Sequence, residues 1–141
     1  PAVRRQVFGY VEQQFHAISG TVADQISLKA PRVTAGAMEK ALHLVGLWDT
    51  CCALPQGLDT PFRPELFSRG QSQLLSIARA VVMNPQILLF DEITANLDSL
   101  TESQVLQALQ AAAKDRTVLS ISHRLYEAQG GRRVVIGETE A

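Results

Sequence analysis

The stretch 67–98, FSRGQSQLLSIARAVVMNPQILLFDEITANLD, spells out a helix, a break and a strand in immediate succession. Ser68 has the chemistry of a helix N-cap. Leu74, Ile77 with Ala78, and Val81 then recur at the spacing of one buried helical stripe, which predicts a helix reaching about Met83. Asn84-Pro85 ends it, because proline disfavours helical backbone in the residue before it. The run Ile87-Leu88-Leu89-Phe90 is apolar without alternation, as expected of a strand buried on both faces of a parallel sheet. Two carboxylates, Asp91 and Glu92, stand at its carboxyl end.

Downstream, Ser99 followed three residues later by Glu102 is a capping-box pattern and predicts a helix through about Lys114. Residues 117–122 (TVLSIS) read as another buried strand with His123 directly after it, and residues 134–136 as a last short strand. Upstream, residues 7–11 (VFGYV) predict a strand that runs into the polar segment Glu12-Gln13-Gln14. Helical spacing occupies 21–28 and 34–48, the second with Met38, Ala41, Leu42, Val45 and Trp48 on one face. Pro55, Gly57, Pro61 and Pro64 make 54–67 an irregular connection. Strands alternating with helices predict an α/β domain with a mainly parallel sheet.

Length and composition set outer bounds. With 141 residues the chain is expected to hold one domain, and 13 Lys+Arg against 14 Asp+Glu give a net charge of −1. No broad positive field draws a phosphate backbone to it, so no nucleic-acid partner is expected. At 46% hydrophobic and 19% charged it is too apolar for a disordered tail. The longest apolar runs fall far short of the roughly 18 residues of a membrane span. No apolar leader follows Arg4 and Arg5, so a soluble, cytoplasmic chain is expected. Adjacent Cys51 and Cys52 suit neither a disulfide framework nor a zinc site and are expected as reduced, partly packed thiols. His16 and His43 are taken as structural or solvent-facing, Trp48 as core, and Gln14 as a neutral neighbour of Gln13.

The polar groups with chemical capacity gather at strand ends. Ligands of open parallel sheets bind outside the carboxyl ends of strands, where Asp91, Glu92 and His123 fall. With a nucleoside triphosphate there, Asp91 can hold Mg²⁺ through water, Glu92 can polarise the attacking water, and His123 can donate to the γ-phosphate. Ser68, Arg69, Gly70 and Gln71 open the preceding helix. A helix start supplies free N–H groups and a positive dipole end, and a glycine there permits close approach of a phosphate.

On these residues the chain resembles the ATP-binding-cassette (ABC) ATPases. Ser68, Arg69, Gly70 and Gln71 match that family's signature motif, Asp91 and Glu92 its Walker B aspartate and catalytic glutamate, residues 95–98 with Asp98 its D-loop, and His123 its switch histidine. Tyr10-Val11-Glu12-Gln13 is similar to the Q-loop, whose glutamine, here Gln13, touches Mg²⁺ and the attacking water. Ser19-Gly20-Thr21-Val22 and Leu54-Pro55-x-Gly57 are similar to exporter-type cassettes. The resemblance implies ATP and Mg²⁺ as substrate and cofactor. It also implies a second nucleotide-binding domain facing this one head to tail, with the signature acting in trans, and a transmembrane domain at the cytoplasmic face of a membrane. It implies a partial P-loop NTPase core, residues 1–18 and 84–141, with an inserted helical subdomain at about 19–83. The strands bearing Q-loop, Walker B aspartate and histidine are then neighbours in that order.

Three departures qualify the match. Arg69 replaces a glycine of the common signature, and its guanidinium either adds a phosphate contact or faces solvent. Residues 60–65 lack the glycines that usually precede the signature in exporters. No G-x-x-x-x-G-K-[ST] occurs in the chain, so it is similar to the carboxyl-terminal portion of a cassette, and taken alone it is expected to be inactive. Two rival readings remain open. One is a catalytically silent interaction module. The other, a DNA-repair or chromosome-maintenance ABC ATPase, requires a long insertion that the 55 positions between Gln13 and Ser68 leave no room for.

Overall fold

A computed structural model of the chain describes residues 6–12, 14–91 and 97–121. Three parallel strands, β1 (Phe8–Val11), β2 (Ile87–Asp91) and β3 (Thr117–Ile121), form one sheet in the order β1-β2-β3. This is the order the resemblance implied. Tyr10 pairs with Leu89 and Leu89 with Leu119, so the three strands run in register across the sheet. Parallel neighbours need helical crossovers. Between β1 and β2 lie α1 (Val22–Ser27), α2 (Ala35–Val45), α3 (Trp48–Cys52) and α4 (Arg69–Val81), and α5 (Ser99–Ala113) joins β2 to β3. The expected strand at 134–136 lies outside the described residues.

The helix boundaries follow from their caps. Thr21 caps α1 reciprocally with Asp24, and Thr34 accepts from the Ala37 N–H to start α2. The expected single helix over 34–48 is two helices. Gly46 takes a left-handed φ of 79° and closes α2, so Trp48 begins α3 instead of extending the stripe of α2. Trp48 still packs, half-buried, against the core, with its ring 5.2 Å from that of His43. The connection after α3 contains two 3₁₀ turns, Gly57–Asp59 and Pro64–Leu66. It is tied to the start of α1 by Val22 N–H to the Thr60 carbonyl and Phe62 N–H to the Gly20 carbonyl.

Helix α4 is the centre of the packing. Leu74, Leu75, Ile77, Ala78 and Val81 are all buried, and each large aliphatic contributes about 1.5–3 kcal/mol on burial. Its far end rests directly on β1, where a Cβ on Gly9 would lie 2.5 Å from the Ala80 carbonyl oxygen. Strand β2 departs from the expectation of burial on both faces. Leu88 and Phe90 are buried, whereas Ile87, Leu89 and Asp91 are half-exposed, because α4 covers the face that carries Gly9 and Leu88. Phe8, Tyr10 and Leu119, on the other face, are 42%, 48% and 58% exposed.

Cys51 is buried and Cys52 exposed, and neither is in a disulfide. Burial pushes the Cys51 thiol up to about 11. At pH 8 an aromatic disulfide reagent should therefore label Cys52 first and Cys51 only after denaturation. Equal labelling rates in the native protein would contradict the placement of Cys51.

Candidate functional site

Ser68 caps α4 with extended backbone, and the S-x-x-Q pattern forms a reciprocal capping box. The Gln71 N–H donates to Ser68 Oγ at 3.1 Å, and the Ser68 N–H donates to Gln71 Oε1 at 2.9 Å. Ser68 and Arg69 are exposed, Gln71 is half-buried and Gly70 is buried. The first turn of α4 carries no acidic residue, so no carboxylate of its own offsets the positive end of its dipole. Gly70 has a neighbour that its sequence position does not reveal: Thr101 of α5 lies against it.

Asp91 ends the central strand, half-buried. The Tyr10 hydroxyl, on neighbouring β1, donates to Asp91 Oδ2 at 3.1 Å. That hydrogen bond, with partial burial and the Asp91 charge, raises the Tyr10 phenol above its ordinary value. Beyond β1, His16 pairs with Glu12, and on α2 His43 stands 3.7 Å from Glu39. His43 has its carboxylate one helical turn back on α2, whereas Glu12 meets His16 outside any helix, and both histidines are exposed, in line with the solvent-facing reading. Among the described residues no group of three or more His, Cys, Asp and Glu side chains stands ready to hold a metal. Mg²⁺ needs no such cage, since it is held by one or two carboxylates together with phosphate oxygens and water. Asp91 fits that donor set.

Asp98, not Ser99, is the N-cap of α5. Its Oδ2 accepts from the Thr101 N–H at 3.2 Å, and hydrogen bonds from Thr101, side chain first, hold its carboxyl below the usual range. A carboxylate is the stronger acceptor at a helix start, and it displaces the serine that the Ser99/Glu102 spacing favoured. Residues 68–71 and Asp98 are thus brought together through Thr101, while Asp91 is tied to β1 through Tyr10. Gln13, Glu92, His123 and residues 95 and 96 of the D-loop stretch lie outside the described residues.

Three contributors carry no local signal. Tyr10 and Asp91 are 81 positions apart, and the Gly70 to Thr101 contact joins two helices. Arg79 of α4 donates through Nε to the Gln25 carbonyl at 2.6 Å and through Nη1 to the His16 carbonyl at 2.9 Å. Its guanidinium stacks 4.5 Å above the Phe15 ring. Buried Gln25 bonds both the N–H and the carbonyl of Ile18, so the segment after Gln13 is fixed from two sides. Strand pairing brings Tyr10 to Asp91, and helix packing brings the other partners together.

Known proteins share both sequence and fold. Residues 2–95 match the profile of the ABC transporter family. The chain is 38% identical over 135 residues to the mycobactin import ATP-binding/permease protein IrtA of Mycolicibacterium smegmatis, covering 95% of this chain and 16% of that protein. It is 42% identical over 100 residues to the multidrug resistance protein sirA of Leptosphaeria maculans, covering 70% of this chain and 8% of that protein. The structure of a bacterial Atm1-family ABC exporter with ATP bound superimposes with a TM-score of 0.71 at 34% identity, over 92% of this chain and 23% of that one. The chain therefore spans less than a quarter of the length of each of these relatives. The profile match over more than half of the chain, the shared fold and the identities together show that the chain belongs to the ABC transporter family.

Proposed function

We propose that the chain is part of the nucleotide-binding domain of an exporter-type ABC transporter, which binds and hydrolyses ATP to drive transport across a membrane. The observation that carries this reading is the shared edge of the fold. Helix α4 runs towards the base of the sheet and β2 runs back from it, so the capped start of α4 and the carboxylate end of β2 face the same way. Residues 68–71 present an anion with the positive end of the α4 dipole, with Arg69 exposed beside it. Asp91 would hold Mg²⁺ through water, with Gln13 as its second contact. The ion would neutralise charge developing on the phosphate oxygens. Glu92 orients and deprotonates the attacking water, and His123 donates to the γ-phosphate.

In this reading the signature residues and Asp98 face the nucleotide of a second nucleotide-binding domain, and a transmembrane domain of the same transporter supplies the passage. The domain works at the cytoplasmic face. Residues 19–83 form a helical subdomain inserted into the ATPase core, and α4 touches both parts. No helix among the described residues is long and apolar enough to cross a membrane.

The test is Asp91→Asn in the full-length transporter. An outer-sphere metal partner is worth about 10–100-fold. The variant should lose ATP turnover by that factor and need more Mg²⁺ for half-maximal rate. Absence of ATP turnover in the unaltered transporter favours the rival reading, a silent module that docks on another cassette through the start of α4.

A further inference from the structure

Gly70 is the second residue of α4 and is buried. It lies inside a helix and is not among the glycines with positive φ, so backbone conformation alone would accept alanine there. Space would not. A Cβ built on Gly70 overlaps the Thr101 Cγ2 atom outright and lies 3.4 Å from Thr101 Cβ and 3.7 Å from Oγ1. The nearest atoms all belong to that one side chain. Thr101 is restrained twice by the Asp98 carboxylate that caps α5, through its N–H and through its side-chain hydroxyl, and a β-branched side chain has few χ1 alternatives. The capping box of Ser68 and Gln71 closes around Gly70 from the other side.

We propose that Thr101 is a positioning residue for the signature turn. Its γ-methyl fills the space that any side chain at residue 70 would need and sets the start of α4 against the start of α5. Glycine is then required at this position by a helix-to-helix contact, and the cap at Asp98 fixes where residues 68–71 stand. The consequence for ATP turnover rests on the functional reading above, whereas the contact itself does not.

Three variants of the full-length protein test this: Gly70→Ala, Thr101→Ser, and the two combined. Serine keeps the hydroxyl and the backbone N–H that bond Asp98 but removes the γ-methyl. Gly70→Ala should lower the melting temperature of the domain by about 3–8 °C. It should also cut kcat/KM for ATP by about 10²-fold, the size of effect that a misplacement of about 1 Å produces. Thr101→Ser alone leaves a methyl-sized gap under the turn and should lower both, by less than Gly70→Ala does. The combined variant should regain most of the melting temperature and return kcat/KM to within about tenfold of the unaltered protein. A combined variant that melts as low as Gly70→Ala overturns the contact, as does a Gly70→Ala protein that melts normally. Recovered melting with kcat/KM still depressed overturns the positioning role and assigns the glycine to the approach of phosphate. If the unaltered protein turns over no ATP, the functional reading fails, and the melting temperatures still decide whether Thr101 sets the position of the turn.

Discussion

Replacing Glu92 by glutamine should leave ATP binding by the full-length transporter intact and slow hydrolysis by about 10²–10⁴-fold, the usual contribution of a positioned general base. The reason is local. Phe90 is buried and Asp91 is held by the Tyr10 hydroxyl, so the chain leaves β2 at a fixed place. The residue after Asp91 is a second carboxylate, the chemical group a general base for water requires. Glutamine preserves size and hydrogen-bonding reach but cannot accept the proton. A fluorescent nucleotide reports binding, and single-turnover hydrolysis reports the chemical step. Normal binding with slow chemistry is the expected pair of results. Turnover within about threefold of the unaltered protein would move the role of base to another residue.

Phe90→Ala should have the largest effect on stability. Phe90 is 1% exposed and sits in the buried row of β2, in the core cluster with Leu75, Ile77 and Leu109. Truncating a buried phenylalanine costs about 3–5 kcal/mol, from lost transfer energy and from the cavity left behind. That is a large share of the 5–15 kcal/mol typical of a domain. Amides of β2 exchange by opening of the sheet, so their exchange should quicken by roughly a hundredfold or more in the variant. ATP turnover should fall with it, because Asp91 is the next residue. Unchanged exchange in β2 would show that the surrounding helices close the cavity.

How much of this was legible in the sequence depended on how local the cause was. The start of α4 was readable because Ser68 and Gln71 satisfy each other within one turn. Strand β2 was readable as a strand from its apolar run, but not its one-sided burial. Four apolar residues in a row give no alternation, and which face is covered depends on α4 lying against Gly9. The end of α2 was misread because the apolar spacing continued past Gly46, while the left-handed turn at that glycine decided the break. At α5 two adjacent caps competed, and the charged Asp98 won over Ser99. Tyr10 with Asp91, and Gly70 with Thr101, could not be read at all, because the partners of the first pair are separated by the helices between β1 and β2 and those of the second sit on two helices with β2 between them.

The seating of α4 has a mechanical side. The helix has 13 residues and is about 20 Å long. One end carries the turn that begins at Ser68, and the other presses its Ala80 carbonyl onto Gly9 with no room for even a methyl group between them. It is a lever whose fulcrum is a glycine in the edge of the sheet. A tilt of about 3° there swings Ser68 through about 1 Å, the displacement that costs roughly 10²-fold in a catalytic step. A remote glycine in β1 thus sets how closely the far end of α4 can sit, and a wider residue there would tilt the helix against the Thr101 contact at its start.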